Sequence, residues 1–231
     1  MPRTSAAKRK DEPPLTYQLK VTLLETEPPI WRRMIVPGDT TLARLDRIIQ
    51  AAMGWTNSHL HMFTAGGVLY AEPSPEWGVE VRDEGRVRLA NVAREEGEAF
   101  VYEYDLGDSW RHQVLVEAVI LEAGEARGPR CLGGERACPP EDSGGVGGYY
   151  EKLLTLQDPD NDEYEETKVW VESMTGGPFD PDAFDLAAAN KAIEALRFRR
   201  RRGQPLPRQC RSISPPASVP AVEPETVASL A

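Results

Sequence analysis

The stretch FVYEYDLGDSWRHQVLVEAVI, residues 100–120, decides the fold of this chain. Aromatic residues recur at every second position before the turn, and apolar residues alternate with polar ones after it. This alternation is typical of strands that bury one face. Between the two runs, DLGD at residues 105–108 has the Gly and Asp side chains that favour a compact turn. The stretch therefore predicts a β-hairpin.

Further strands are predicted on the N-terminal side of this hairpin. Apolar and polar residues alternate over residues 17–23, and a second strand is predicted over residues 30–36 after a Pro-Pro break. Residues 59–64 are expected to be extended, and the glycine pair at 66–67 predicts a turn into another short strand at 68–70.

Helices are predicted once before and three times after these strands. The early helix runs to Met53, with Asp39 or Thr40 as its N-cap and Gly54 as its stop. The three late helices are predicted over residues 149–157, 161–174 and 186–198, with Asp160 and Asp185 as caps. A Gly/Pro/Cys-rich loop is expected over 122–148. This order favours an α+β fold, an antiparallel sheet of hairpins packed by one early helix and a C-terminal group of about three helices.

Charge divides the chain into three parts. Residues 1–14 carry four basic and two acidic side chains, and residues 197–231 carry seven Arg and two Glu, whereas the whole chain has a net charge of −10. The remaining residues are therefore strongly acidic, which disfavours binding to a phosphate backbone. We predict a single domain over 15–198, a disordered basic tail over 1–14 and a disordered Arg/Pro-rich tail over 199–231.

The sequence also bears on compartment. No run of 18 apolar residues is present, so no membrane helix or membrane partner is expected. Residues 1–14 lack the apolar core of a secretory signal. The odd count of three cysteines argues against a disulfide framework. A cytoplasmic location is the resulting expectation.

Several short blocks occur in a characteristic order. They are PPIWRR at 28–33, IQAAMGW at 49–55 followed by HLH at 59–61, YDLGDSWRH at 104–112, ACPPEDSGG at 137–145 and FDPDAFD at 179–185. In these blocks the chain resembles the Ri-plasmid ORF-3-like family over residues 15–198. Some members are labelled TnpR-type passenger proteins of insertion elements. The resemblance implies a small α+β accessory domain of plasmids and mobile elements.

The passenger label suggests a resolvase, but the sequence does not show the corresponding chemistry. A serine recombinase needs a nucleophilic Ser with an Arg cluster, and a tyrosine recombinase needs Arg and His around a nucleophilic Tyr. Neither constellation is recognisable here. Many relatives have Cys where Ser143 stands, and this departure argues against an obligatory metal ligand at that position.

The three histidines are candidate site residues. His59 and His61 are two positions apart, so both would lie on one face of a strand, where they could form half of a Zn, Fe, Ni or Cu site. The alternative is stacking on Trp55 or Phe63 and hydrogen bonding to a backbone carbonyl. His112 would share a sheet face with Trp110.

Acidic residues accompany the histidines. Asp105 and Asp108 could orient an imidazole, or could accept turn N–H groups instead. Glu141 and Asp142 follow a Pro-Pro pair and could act as metal ligands or acid/base groups, or could hydrogen-bond loop amides. The glycines at 144–148 are expected to form a turn, because the Lys of a phosphate-binding loop is missing.

Two cysteines of the loop are weaker candidates. Cys131 and Cys138 are spaced more widely than the cysteines of a typical zinc knuckle. They could join a histidine site only if the fold brings them together, and buried free thiols are the alternative.

Three functions follow as expectations. The first is a module that binds an unidentified protein or small-molecule ligand in a pocket lined by His, Asp and Trp side chains. The second is a metal-dependent, hydrolase-like enzyme in which the histidines and carboxylates hold a divalent transition metal. The third is a DNA-processing accessory that contacts nucleic acid only through the C-terminal tail, with Arg197, Arg199, Arg200, Arg201 and Arg202.

Overall fold

The computed structural model describes residues 15–121 and 128–196. The two predicted tails, with the arginines from Arg197 onward, lie outside these residues, so the disorder and DNA-contact predictions for them stay predictions. No helix among the described residues is both long enough and apolar enough to cross a membrane.

The described residues contain eight strands in one sheet. They are β1 (Leu15–Leu23), β2 (Ile30–Pro37), β3 (His61–Ala65), β4 (Val68–Ala71), β5 (Arg82–Asp83), β6 (Ala99–Tyr104), β7 (Trp110–Leu121) and β8 (Arg130–Glu135). Their order across the sheet is β5-β4-β3-β6-β7-β1-β2-β8. Every neighbouring pair is antiparallel except β4 and β5. The predicted α+β class is confirmed.

The β6–β7 hairpin is the predicted one. Tyr102 pairs with His112 and Tyr104 pairs with Trp110. Because successive side chains point to opposite faces, these residues are buried while their sequence neighbours are more exposed. Asp105 and Ser109 have positive φ angles of 54° and 56°, which close the turn between the strands.

Five helices accompany the sheet within residues 15–121 and 128–196. They are α1 (Leu42–Met53), α2 (Leu89–Val92), α3 (Gly145–Gln157), α4 (Tyr164–Thr175) and α5 (Leu186–Ala195), with short 3₁₀ turns at Pro75–Trp77 and Glu84–Arg86. The helical stripe of α1 is buried, and Gly54 ends it with φ of 107°, as predicted. Asp185 caps α5 by accepting the N–H groups of Ala187 and Ala188, also as predicted.

Other helix boundaries differ from the prediction. The N-cap of α1 is Thr41, without a side-chain cap bond, instead of Asp39 or Thr40. The N-cap of α4 is Glu163 instead of Asp160. Helix α3 begins at Gly145, so the glycines expected to form a turn supply its first residues. That extension is possible because tertiary contacts, which a propensity argument does not see, hold the glycine backbone in place.

Strand β8 lies inside the segment that was predicted to be a loop. It pairs with β2, so that Trp31 faces Glu135 and Met34 faces Cys131. The strand is not recognisable in the sequence because Gly133 and Gly134 interrupt the alternation of apolar and polar side chains. A Cβ at Gly134 would lie 2.7 Å from the carbonyl oxygen of Trp31, so the close approach of β2 requires glycine there.

The segment after β8 returns to the β6–β7 turn and to the end of α1. Trp55 Nε1 donates to the carbonyl oxygen of Pro139 at 3.1 Å. The amide of Gly144 donates to Asp108 Oδ2 at 2.9 Å. These two bonds fix residues 139–144 against the sheet and bring three sequence-distant segments together.

Candidate functional site

Four polar side chains meet where these segments join, and we call them the His59 cluster: His59, Asp105, Glu141 and Asp142. His59 Nδ1 lies 3.5 Å from Asp105 Oδ2. Its Nε2 lies 3.5 Å from Glu141 Oε2 and 3.2 Å from Asp142 Oδ1. The imidazole is therefore surrounded by three carboxylates. Its Nε2 atom is buried and makes no hydrogen bond of good geometry.

Backbone conformation places the members of the cluster. The amide of Asp105 donates to the carbonyl oxygen of Leu60 at 2.9 Å, which brings the end of β6 beside His59. Asp105 and Asp142 both have positive φ, at 54° and 58°. Non-glycine residues adopt this conformation uncommonly, and Asp is among those that tolerate it best. Both carboxylates are therefore presented by turns.

Glu141 is held firmly by one of its two oxygens. Oε1 accepts the N–H of Thr56 at 2.5 Å, the hydroxyl of Thr56 at 3.0 Å and the hydroxyl of Tyr104 at 3.1 Å. Burial, together with the charge of Glu141, raises the pKa of Tyr104 and keeps the phenol protonated as a donor. The other oxygen, Oε2, is left facing His59.

The cluster opens to solvent on one side. The side chain of Asp142 is 60% exposed, whereas that of Asp105 is 11% exposed. One ligand atom from each of His59, Asp105 and Asp142 lies within 4.8 Å of the others. Imidazole nitrogen with carboxylate oxygen is a donor set that suits divalent transition metals. The arrangement can therefore hold a cation at the surface.

His61 belongs to a different group, the His61 cluster: Asp46, Gln50, His61, Glu84 and Tyr102. His61 Nε2 is 2.8 Å from Glu84 Oε2, and Nδ1 is 3.3 Å from Asp46 Oδ1. Asp46 Oδ1 also accepts the Tyr102 hydroxyl and the Gln50 amide, each at 2.7 Å. Burial lowers the pKa of His61, but the Glu84 bond and the charge of Asp46 outweigh it and raise the pKa above its ordinary value.

The two histidines do not form the expected pair. His59 precedes β3, and Asn57 just before it has a φ of 60°, so the chain is not yet extended there. Among the described residues the two imidazoles have no carboxylate partner in common. The idea of a shared face was wrong, because the strand begins only at His61.

Trp110 and His112 do not line a pocket either. Both side chains are fully buried in the core. Trp55, expected beside them, stacks on Tyr104 with ring centroids 4.7 Å apart and meets His112 edge-on at 5.2 Å. Burial lowers the pKa of His112 to about 4, so this imidazole is neutral at physiological pH. The predicted Trp-lined pocket is replaced by aromatic packing.

Two of the remaining candidates, Asp108 and Cys131, have structural partners. Asp108 bonds the amide of Gly144. The thiol of Cys131 donates to the carbonyl oxygens of Arg33 and Gly133 at 3.4 Å. Burial raises the pKa of Cys131 and Cys138, which disfavours the thiolate that a metal requires. Within the described ranges, the group with ligand spacing contains neither cysteine.

Sequence reasoning missed four of the five members of the His61 cluster, and Tyr102 was predicted only as a buried residue of a strand. Asp46 and Gln50 lie four residues apart in α1 and are both buried, so two polar side chains on a buried helix face were the available signal. Glu84 lies in a 3₁₀ turn within a charged segment, where the sequence offers nothing that distinguishes it from a solvated glutamate.

Comparisons with known proteins agree with this fold. The chain is 40% identical to the uncharacterized protein y4hQ of Sinorhizobium fredii over 180 residues, which cover 78% of this chain and 91% of that protein. A crystal structure of the protein of unknown function MM3350 from Methanosarcina mazei Go1 superposes with a TM-score of 0.67 at 34% identity. That similarity covers 75% of this chain and 97% of the other.

The family comparison covers most of the described chain. The family model for plasmid pRiA4b ORF-3-like proteins matches residues 15–188, from β1 into α5. That span includes every residue of the His59 and His61 clusters. The chain therefore belongs to the plasmid pRiA4b ORF-3-like family.

Proposed function

We propose that this chain is an accessory binding protein whose ligand site is the His59 cluster, occupied by a divalent transition metal. The observation that carries the proposal is the convergence of His59, Asp105 and Asp142 from three sequence-distant segments, with ligand atoms within 4.8 Å of one another. Glu141 adds a fourth donor at the same place, because its Oε2 faces His59 at 3.5 Å.

Electrostatics supports a cation at this position. Three carboxylates surround one imidazole, and like charges at such distances repel one another. A divalent cation would offset that repulsion. Loops fixed by the Trp55–Pro139 and Gly144–Asp108 bonds hold the donors in place before a ligand arrives, which lowers the entropic cost of binding.

The test is calorimetric titration of chelator-treated protein with Zn²⁺ and Mn²⁺. Asp142→Asn removes one ligand at an exposed position, so the variant should fold normally. We expect it to weaken metal binding by at least about tenfold. Asp39→Asn is the matched control, because Asp39 is an exposed aspartate in the turn before α1. Lack of binding by the wild-type protein, or equal binding by both variants, would refute the proposal.

A metal-dependent hydrolase is the second candidate, and the exposure of Asp142 favours it. Three or four protein ligands leave coordination positions for a water molecule on the open side, as catalytic metal sites require. The test is hydrolysis of bis-p-nitrophenyl phosphate and p-nitrophenyl acetate with Zn²⁺ or Mn²⁺. Turnover that needs the metal and is lost in His59→Gln would support an enzyme. Turnover that His59→Gln retains would count against it.

A further inference from the structure

A groove of about 370 Å³ lies between α3 and α4 and ends beside the His59 cluster. Its lining residues, here called the α3–α4 groove, are Asp142, Lys152, Glu163, Glu166, Thr167 and Trp170. Asp142 belongs to both sites. A ligand in the groove would therefore lie next to the proposed metal.

The charges of the groove favour a cationic ligand. Three carboxylates line it and only one ammonium group does. Neither Glu163 nor Glu166 forms an ion pair within the described part of the chain, so both carboxylates are available to a ligand. Both residues are exposed at the start of α4, where solvent gives a ligand free access.

The groove already contains one example of cation recognition. Lys152 Nζ lies 4.7 Å from the ring centroid of Trp170 and donates to the carbonyl oxygen of Ser143 at 3.0 Å. An aromatic face beside carboxylates is the chemistry that binds alkylammonium and guanidinium groups. A ligand cation would share this aromatic face with Lys152 or displace it.

We propose that the α3–α4 groove binds the guanidinium or alkylammonium group of a basic ligand and places it beside the His59 cluster. The inference deepens the proposed function, and it rests on that function for the metal next to the ligand. The opposite ligand class is an anion attracted by Lys152. It is opposed by Glu163 and Glu166, which remain unpaired within the described residues when Asp142 binds the metal, and the experiment below distinguishes it.

The probe is N-acetyl-L-arginine amide, whose only charge is its guanidinium group. It is titrated into metal-free protein while the indole N–H signals are followed by NMR, with Trp170→Phe used to assign Trp170. We expect the Trp170 signal to shift in a saturable manner. Glu166→Gln should weaken the probe several-fold, whereas Glu165→Gln should leave it unchanged, since Glu165 is exposed on the same helix but lies outside the groove.

The variant Lys152→Met tests whether the groove recognises a cation or an anion. Removing the resident ammonium should tighten probe binding if the groove recognises cations. Weaker probe binding by Lys152→Met, no shift of Trp170, or saturation by inorganic phosphate instead would overturn the inference. The metal titration of Asp142→Asn is read separately, so probe binding without metal binding would refute the proposed function alone. Metal binding without probe binding would refute this inference alone.

Discussion

The His59 and His61 clusters each pair an imidazole with carboxylates, yet they differ in burial and in the distances between the paired groups. His61 contacts its carboxylates at 2.8 and 3.3 Å in a buried network. His59 contacts its three carboxylates at 3.2 to 3.5 Å in a site that Asp142 opens to solvent. A buried charged group destabilises the fold unless it is paired, whereas an exposed charged group is hydrated and remains available to a ligand. The first arrangement is typical of structure and the second of binding.

The two clusters also differ in the backbone elements that supply their side chains. Asp46 comes from α1 and Tyr102 from β6, which are regular elements with fixed backbones. Asp105 and Asp142 come from turns with positive φ. Loops held by a rigid scaffold are the usual location of binding residues. The difference favours a structural role for the His61 cluster and supports the proposal that the His59 cluster binds a ligand.

The largest effect is expected when each histidine is replaced by alanine in turn. His61→Ala should lower the free energy of unfolding by about 3–5 kcal/mol, because the buried carboxylates of Glu84 and Asp46 both lose the imidazole that pairs with them. His59→Ala should change it by less than about 1 kcal/mol, since Asp142 is exposed and the other two carboxylates of the His59 cluster keep hydrogen bonds from other groups. Urea denaturation measures both values. Equal losses in the two variants would contradict the assignment.

His112 adds a third case, a buried imidazole without a carboxylate. Its pKa of about 4 lies below the ordinary 6.5, so the unfolded chain takes up the proton more readily. The contribution of His112 is fully present above pH 6.5 and is lost as the pH falls towards 4, which should reduce the free energy of unfolding by about 3 kcal/mol.

The measurement is urea denaturation between pH 7 and pH 4, with His112→Gln as the comparison. The variant has no titrating group at this position, so its stability should fall less over the same range. Parallel curves for the two proteins would show that His112 does not contribute to the acid sensitivity.

Metal binding tests the same difference between the two clusters, with a smaller expected effect. His59→Gln should weaken Zn²⁺ or Mn²⁺ by about tenfold or more, equivalent to about 1.4 kcal/mol, while the free energy of unfolding without metal stays nearly unchanged. Calorimetry gives the first quantity and urea denaturation the second. A variant that binds metal as well as the wild-type protein would remove His59 from the ligand set.

The smallest effect is the opposite titration of His61, which is half-buried, and His112, which is fully buried. The pKa of His61 is raised, so its stabilising pairing is complete below pH 6.5 and is lost as the pH rises through the folded-state pKa. NMR titration of the imidazole Hε1 signals should place the midpoint of His61 above 6.5 and that of His112 below it. A reversed order of the two midpoints would contradict the contacts described for them.

The fold was largely predictable because it depends on local alternation. The spacing of apolar residues predicts the β6–β7 hairpin, β1, β2 and α1, because each of these elements buries one face. Strand β8 was not predicted because its pairing with β2 is nonlocal and its glycines interrupt the alternation of apolar and polar residues. The candidate site was predicted only in part. Its four residues were among the candidates, but so were Trp110, His112, Cys131 and Cys138.

The α+β class, the β6–β7 hairpin, the family and the residue types available for a site could all be inferred from the amino-acid sequence. The tertiary structure was needed to show that His59 and His61 have different partners and that His112 is packed in the core. It also showed that Asp142 and Asp105, 37 positions apart in sequence, both lie against His59. Periodicity reports which face of an element is buried, because that is a local property. The contacts between polar groups depend on how a loop that is distant in sequence packs against the sheet. A local sequence pattern contains no information about that packing.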